Sequence, residues 1–204
     1  MNINIISDYF SKAEKLIWSF SVLITVTAFI AFDRENYLSL AASLIGVTSL
    51  IFNAKGNPFG QMLMIAFSLL YGIISYSFSY YGEMITYLGM TMPMAILALI
   101  SWLKNPYNGN KSEVTVNHVT KKELIYICLL SGAVTALFYF ILKAFNTANL
   151  IPSTLSVTTS FLAVFLAFRR SPYHALAYAA NDIILIILWS FASFDDISYI
   201  SVLV

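Results

Sequence analysis

Long apolar segments alternate with short polar ones along the 204 residues of the chain. A helix that crosses roughly 30 Å of hydrocarbon needs about 20 mostly apolar residues, with about 17 as the usual lower limit. An eighth apolar run begins at Ile197 and stops at Val204, so we expect the last helix to be truncated. The pattern predicts an all-α polytopic membrane protein. Seven segments approach or meet the required length: Leu16–Phe32, Tyr37–Phe52, Pro58–Tyr81, Met84–Leu103, Leu124–Phe145, Pro152–Phe168 and Pro172–Phe194.

The prolines agree with three of these boundaries and disturb one helix. Pro58, Pro152 and Pro172 each stand at the start of an apolar segment, where the missing backbone N–H costs nothing. Pro93 falls in the middle of Met84–Leu103. There it predicts a kink and a freed backbone carbonyl that neighbouring helices or water must satisfy.

Composition supports the membrane class and argues against several others. Hydrophobic residues make up 59% of the chain and charged residues 10%, against about a quarter charged in a soluble domain. The 11 basic and 10 acidic residues leave no basic surface for a nucleic acid. The single cysteine, Cys128, excludes a disulfide framework, and the common nucleotide, hydrolase and metalloprotease motifs are absent from the sequence. We therefore expect neither catalytic residues nor a metal or cofactor.

Basic residues gather on one side of the predicted spans. That side holds nine of them, against only Arg34 and Lys143 on the other. Because basic loops stay in the cytoplasm, we expect the N-terminus and the loop 104–123 to be cytoplasmic. Within this loop, the run Asn105–Asn110 predicts a turn. The nine residues are Lys12, Lys15, Lys55, Lys104, Lys111, Lys121, Lys122, Arg169 and Arg170.

The order of the spans predicts two units that run in the same direction. Residues 37–103 form a first three-helix unit, residues 124–145 a linking helix, and residues 152–204 a second, incomplete unit. Residues 1–36 would supply an amphipathic segment and one extra transmembrane helix. A single linking helix returns the chain to its starting side. The units therefore make a parallel repeat of 3+1+3 form, an arrangement found in transporters.

An amide and a carboxylate stand near the centre of the span Pro172–Phe194. They are Asn181 and Asp182. A carboxylate at mid-membrane costs at least about 2.5 kcal/mol, so Asp182 should face the protein interior or a cavity. A structural pair with a neighbouring helix is one alternative, and Asn181 alone could bridge two helices. The adjacent pair, flanked by aromatic residues, favours a substrate site.

Helical spacing predicts two stripes of polar and aromatic side chains around this pair. Flat rings for stacking and amides for hydroxyl groups suit a small aromatic, hydroxylated solute. Each tyrosine taken singly could instead be a packing or membrane-interface residue. One stripe consists of His174, Tyr178, Asn181, Leu185 and Trp189. The other, on the span Pro58–Tyr81, consists of Gln61, Ser68, Tyr71, Ser75 and Ser79, with Gly72 permitting close approach.

Several short motifs match the pattern of one known family. They are Asn57–Gln61, Leu70–Gly72 with Tyr80–Met84, Ile100–Pro106, Ala179–Asp182 and Phe194–Tyr199. Together they resemble the PnuC family of nicotinamide riboside transporters, over residues 37–204. The resemblance implies a seven-helix 3+1+3 core similar to a full-length version of the SWEET sugar transporters, with the extra N-terminal helix added. It also implies homotrimers in a bacterial inner membrane and facilitated diffusion. A separate cytoplasmic riboside kinase would then trap the substrate by phosphorylation, for NAD synthesis.

In that family the substrate lies at the centre of the protomer, between aromatic residues and the Asn and Gln side chains of both halves. The resemblance matches Asn181 to the family's asparagine of the sixth core helix. Relatives often carry tryptophans seven and four residues earlier, where this chain has His174 and Ala177. Either the aromatic residues have moved by one position or the substrate differs. Related proteins carry thiamine or deoxynucleosides. Our candidate substrate-binding residues are Asn181, Asp182, Tyr178, His174, Trp189, Gln61, Tyr71, Ser68 and Glu83.

A positive charge on the substrate would give two acidic residues a role. Nicotinamide riboside carries a pyridinium ring and thiamine a thiazolium ring, and a cation is stabilised over aromatic faces and near a carboxylate. Asp182 and Glu83 are the acidic residues that we place near the central cavity, and a neutral deoxynucleoside would have no use for them. A distant alternative is an integral-membrane enzyme with His174 and Asp182 as acid–base partners. A non-transporting membrane scaffold is another.

Overall fold

The computed structural model describes residues 9–32, 34–78, 80–147 and 149–195. These residues form a helical protein with one short hairpin. The predicted run at 197–204 and most of the N-terminal amphipathic segment lie outside the described residues. The helices are α1 (Lys12–Phe32), α2 (Tyr37–Ala54), α3 (Pro58–Ser77), α4 (Tyr81–Thr86), a π-helical turn (Tyr87–Thr91), α5 (Met92–Lys104), α6 (Lys121–Ala144), α7 (Leu150–Phe168) and α8 (His174–Asp195).

Seven helical segments among the described residues are long and apolar enough to cross a membrane, counting α4, the π-helical turn and α5 as one. They correspond to the seven predicted spans, which confirms an all-α polytopic protein. The first and third spans each differ from the prediction by four residues at one end, because α1 begins at Lys12 and α3 ends early. α3 begins at Pro58, with the Asn57 side chain accepting from the Phe59 N–H at 2.9 Å. It ends at Ser77 instead of continuing to Tyr81, where the next helix begins.

The other prolines stand close to where the sequence predicts helix ends. α7 begins two residues before Pro152, and α8 begins two residues after Pro172. The first turn of a helix has free N–H groups, so Pro152 removes no hydrogen bond there. The predicted disturbance at Pro93 takes the form of the π-helical turn Tyr87–Thr91, which ends two residues before it. A π-helical turn is one of the ways in which a helix adapts to an interrupted hydrogen-bond ladder.

The loop 104–123 contains a β-hairpin that the sequence analysis did not predict. β1 (Pro106–Tyr107) pairs with β2 (Asn110–Val114) in antiparallel orientation. Between them, Asn108 and Gly109 have φ angles of 48° and 79°. Positive φ at both positions is typical of the two-residue hairpin turn that Asn-Gly favours. The predicted turn is therefore present. Because Asn-Gly favours the turn of a β-hairpin, the same two residues also indicated that strands flank it.

The turns before α3 and before α8 share one backbone hydrogen-bond pattern. In each, three successive N–H groups donate to carbonyls four, three and five residues earlier. Gly56 and Arg170 occupy the same place in the two turns, with φ angles of 68° and 58°. A left-handed residue of this kind commonly ends a helix. The donors are Lys55, Gly56 and Asn57 in one turn, and Arg169, Arg170 and Ser171 in the other.

Residues 105–120, which we name the strap, connect these two turns. The Val114 N–H donates to the Gly56 carbonyl and the Asn117 N–H donates to the Arg170 carbonyl, each at 3.0 Å. Within four residues, Val114 to Asn117, the strap therefore hydrogen-bonds both to the first half of the chain and to the second half. We name the end of the molecule that carries the strap the strap end, and the opposite end the far end.

The strap end is also closed by side chains. The Trp102 indole N–H donates to the Ala167 carbonyl at 2.7 Å, which joins α5 to α7. Val114 of the strap packs into the same buried cluster. Burial of apolar side chains at this point supports the backbone hydrogen bonds of the strap, because it shields them from water.

Candidate functional site

Four buried aromatic side chains from three parts of the chain meet in the half of the molecule towards the far end. The Trp189 indole N–H donates to the Tyr71 hydroxyl at 2.6 Å, which joins α8 to α3. Ring centroids lie 4.4 Å apart for Tyr71 and Tyr87, and 4.8 Å apart for Tyr80 and Trp189. We name Tyr71, Tyr80, Tyr87 and Trp189 the aromatic cluster. Polar aromatic rings of this kind can stack on a flat ligand and also hydrogen-bond to it.

Two local features bring Tyr71 and Tyr87 together. Gly72 lets α3 approach the π-helical turn so closely that a Cβ at this position would lie 2.6 Å from the Leu88 Cγ. In the π-helical turn, the Met92 N–H donates five residues back to the Tyr87 carbonyl. The extra residue in the turn changes the direction of the side chains relative to a regular α-helix. Such turns are frequent at functional sites.

The Tyr87 hydroxyl is the centre of the polar part of the site. It lies next to the Asn181 amide and close to the Tyr178 hydroxyl. The carboxylates of Glu83 and Asp182 are near enough to interact electrostatically with it. Four of the nine predicted site residues therefore interact with one tyrosine that was not among them.

Glu83 is fully buried in the first turn of α4, with none of its surface exposed. Both carboxylate oxygens lack a hydrogen-bond partner among the described residues. The Ser156 hydroxyl of α7 faces the carboxylate but does not reach normal hydrogen-bond geometry, and it too is unpaired. The carboxylate also interacts electrostatically with Tyr71. The structure thus places Glu83 beside the aromatic cluster with its hydrogen-bonding capacity unused.

Asn181 joins α8 to α7. Its Oδ1 accepts from the Thr159 hydroxyl at 2.9 Å and from the Ser160 hydroxyl at 3.0 Å. The amide thus bridges two helices, as one of the sequence alternatives proposed. The bonds to Oδ1 leave the NH₂ group free to donate towards Tyr87. The bridge therefore fixes the donor in place and does not exclude a binding role.

Gln61 belongs to a second polar group, towards the strap end. Its Nε2 donates to the Asn53 Oδ1 at 2.9 Å, and the Asn53 Nδ2 donates to the Ser49 Oγ at 3.2 Å. The Ser49 hydroxyl in turn donates to the Gly60 carbonyl at 3.0 Å. This chain of bonds joins α2 to α3. Only the Gln61 Oε1 is left without a partner among these described side chains.

His174 and Tyr178 occupy the strap end of α8. The His174 Nδ1–H donates to the Ser171 carbonyl at 2.7 Å. The centroid of its ring lies 6.0 Å from the centroid of the Trp102 ring and 6.2 Å from that of the Tyr178 ring, edge-on to both. The Tyr178 hydroxyl is buried and has no partner among the described residues. His174 therefore packs at the strap end of α8, and the buried Tyr178 hydroxyl lies one helical turn further along the helix.

The predicted stripe on α8 is too long for a single pocket. His174 and Trp189 are 15 residues apart, about 22 Å along a helix, so one small solute does not contact both. Two other predicted residues are placed differently from the rest. The Ser68 hydroxyl donates to the Met64 carbonyl of its own helix at 2.8 Å. The Asp182 side chain is exposed among the described residues, and its orientation towards the protein interior or a cavity stays a prediction.

Sequence reasoning missed Tyr80 and Tyr87 as site residues. A signal for both was present, because Tyr80, Glu83 and Tyr87 follow one another at steps of three and four residues. Thr159 and Ser160 were also missed. Nothing in their own pattern shows that they hold the Asn181 side chain in place.

The arrangement is suited to binding. In residues 9–32, 34–78, 80–147 and 149–195, no group of three or more His, Cys, Asp or Glu side chains is placed to hold a metal ion. Buried polar atoms normally have partners, and several here have none among the described residues. A polar ligand with a flat ring would supply those partners. The unpaired atoms in this region are the Glu83 oxygens, the Ser156, Ser75 and Tyr178 hydroxyls and the Gln61 Oε1.

Comparison with known proteins agrees with the geometry. A family model described as nicotinamide mononucleotide transporter matches residues 36–203. The nicotinamide riboside transporter PnuC of Neisseria mucosa is 23% identical over 183 residues, which cover 88% of this chain and 70% of that protein. The crystal structure of the vitamin B3 transporter PnuC superposes with a TM-score of 0.79 at 21% identity, covering 95% of this chain and 87% of the other. At that identity, the structural likeness shows the fold.

Proposed function

Because the chain belongs to the nicotinamide mononucleotide transporter family, we propose that it carries nicotinamide riboside across the membrane by facilitated diffusion. The observation that carries the proposal is the buried site between α3, the π-helical turn and α8. Its rings, amides and unpaired oxygens suit a nucleoside with a flat base. The related proteins are transporters, which does not favour an enzyme with His174 and Asp182 as acid–base partners.

In this proposal, the two ends of the ligand meet different groups. The nicotinamide ring stacks against the aromatic cluster towards the far end. The ribose hydroxyls and the carboxamide reach the Asn181 NH₂ and the hydroxyls of Tyr87 and Tyr178. In the proposal the ligand passes Gln61 and His174 on its way to the strap end, where it leaves the protein. The buried, unpaired state of the Tyr178 hydroxyl supports this placement.

The proposed architecture is a parallel 3+1+3 repeat with the strap end in the cytoplasm. The order of three spans, one linking helix and two further described spans after the extra N-terminal helix supports the repeat. The nine basic residues on the strap side, against two on the other, support the orientation. A bacterial inner membrane is the location that this orientation and the family relationship favour.

Assembly and trapping complete the proposal. An open groove of about 720 Å³ lies between α6 and α7, lined in part by Ser131, Gly132, Thr135 and Ala136. Small residues let helices approach closely in a membrane, which supports a homotrimer.

Facilitated diffusion gives no accumulation by itself. A cytoplasmic riboside kinase would therefore trap the product by adding a charged phosphate, for NAD synthesis.

Counterflow in proteoliposomes tests the function. We expect vesicles preloaded with unlabelled nicotinamide riboside to accumulate labelled riboside transiently, and protein-free vesicles not to. Thiamine and a deoxynucleoside, loaded in parallel, test the alternative substrates. Counterflow with thiamine alone would assign the protein to the alternative substrate. An absence of counterflow with all three would favour a non-transporting scaffold.

A further inference from the structure

Glu83 is a buried acidic side chain without a basic partner. Every lysine, arginine and histidine of the chain lies within the described residues. In this part of the chain, the ion pairs of basic side chains are Lys55 with Glu14 and Arg169 with Glu123. No basic side chain among the described residues therefore pairs with Glu83.

A buried carboxylate of this kind costs several kcal/mol unless something compensates it. Hydrogen bonds from the protein do not, because both oxygens are unpaired among the described residues. Compensation must come from a bound proton or from a cation that enters the site. Glu83 precedes Tyr87 by four residues, about one helical turn, and its charge interacts electrostatically with the hydroxyls of Tyr71 and Tyr87. Ring faces and a carboxylate together stabilise a flat organic cation.

Asp182 is the other acidic residue near Tyr87. It differs from Glu83 because it is exposed. Its charge is therefore not enclosed by the packed helices as that of Glu83 is. A buried charge exerts a much larger effect at the same distance, because the surrounding dielectric constant is low.

This inference rests on the proposed function and deepens it. We propose that Glu83, and not Asp182, is the residue by which the site selects a positively charged substrate over a neutral one of the same shape. The cation takes the place that a lysine or arginine would occupy in an ordinary buried ion pair. The Ser156 hydroxyl, unpaired beside Glu83, then donates to the carboxylate and holds it towards the ligand.

Calorimetric titration with two ligands tests the inference. The ligands are nicotinamide riboside, which is cationic, and its reduced dihydro form, which is neutral and close to it in shape. For wild type we expect about tenfold tighter binding of the cation. Glu83→Gln keeps the size of the side chain and removes the charge. The affinity for the cation should therefore fall to that for the neutral ligand, so that the preference for the cation disappears. Asp182→Asn, the matched control, should keep the preference within about threefold.

Glu83→Asp tests the charge independently of the amide substitution and guards against misfolding of Glu83→Gln. It shortens the side chain and keeps the charge, so affinity should fall while the preference for the cation remains. Equal weakening of both ligands in Glu83→Gln would overturn the inference and leave the proposed function standing. Loss of the preference in Asp182→Asn would also overturn it. Binding of neither ligand by wild type would instead overturn the proposed function.

Discussion

At the scale of single residues, the Tyr87 hydroxyl connects the two halves of the candidate site. It faces the Asn181 amide and interacts with Glu83 of its own segment. Its ring packs 4.4 Å from the Tyr71 ring. One side chain therefore belongs to both the aromatic wall and the polar wall of the site. Removing its hydroxyl separates these two contributions.

We expect Tyr87→Phe to weaken nicotinamide riboside binding about tenfold, because the Asn181 amide and the ligand lose a buried partner. The ring contact with Tyr71 should persist, so the unfolding temperature should change little. Tyr76→Phe, at an exposed position of α3, is the matched control and should leave binding unchanged. Calorimetric titration measures both. Unchanged affinity in Tyr87→Phe would show that the hydroxyl does not take part in binding.

Asn181→Ala should affect both binding and stability. It removes the donor towards Tyr87, which we expect to cost about tenfold in affinity, roughly 1.4 kcal/mol. It also removes the acceptor of Thr159 and Ser160, which should lower the unfolding temperature. Ser160→Ala separates the effects, because it loses one bond to Oδ1 and leaves the NH₂ group in place. If Ser160→Ala lowers the affinity as much as Asn181→Ala, the asparagine acts only as a bridge.

Helical spacing was sufficient to place Asn181 and Trp189 on one face of a helix. It was not sufficient for Tyr87, because the π-helical turn interrupts the spacing on which such predictions depend. The contrast between Glu83 and Asp182 also escaped the sequence analysis. Both are carboxylates near apolar helices, and their difference in burial arises from how α7 and α8 pack around them.

At the scale of elements, membrane thickness sets the length of the helices, and therefore the sequence predicts them well. A helix that leaves the hydrocarbon layer meets water, and its residues become polar at that point. The places where prediction failed lie at irregular elements. The hairpin lies outside the spans, and the π-helical turn lies inside one, so apolar length detects neither. Apolar length also does not reveal the role of Gly72, because that role depends on the neighbouring helix.

Gly72→Ala tests the close approach of α3 and the π-helical turn. A Cβ at this position would lie 2.6 Å from the Leu88 Cγ, so we expect a loss of about 1–3 kcal/mol in stability. Leu88→Ala in the same protein should restore part of the loss, because it removes the clash. Gly89→Ala is the control, since its Cβ meets only the Ile85 Cγ2, at 3.8 Å. Thermal unfolding in detergent measures these effects. Equal effects of the two alanines would argue against a tight contact.

At the scale of the whole molecule, the strap joins two turns of matching geometry, one from each half. Because the basic residues gather on the same side, we expect this end to face the cytoplasm. The number of spans and the orientation depend on each other. Adding or removing one span would redistribute the basic residues between the two sides, so one labelling experiment tests both.

A cysteine at Asn110, introduced into a Cys128→Ala background, should resist membrane-impermeant maleimide in intact cells. Asn110 is exposed in the hairpin, so the membrane and not burial should protect it. Glu35→Cys, in the exposed turn between α1 and α2, should react rapidly and serves as the control. Permeabilised cells should label at both positions. Rapid labelling of Asn110→Cys in intact cells would reverse the orientation.

The strap also determines which end of the molecule acts as the hinge. Only two residues separate its anchors Val114 and Asn117, so the Gly56 and Arg170 carbonyls can be at most about 16 Å apart while both bonds hold. Releasing them breaks two backbone hydrogen bonds, at about 1 kcal/mol each, and exposes Val114. Among the described residues, the Trp189–Tyr71 pair at the far end closes through side chains that can rotate apart. We therefore expect the protein without bound substrate to open at the far end. In the proposed orientation this end faces the outside of the cell, where the substrate is dilute.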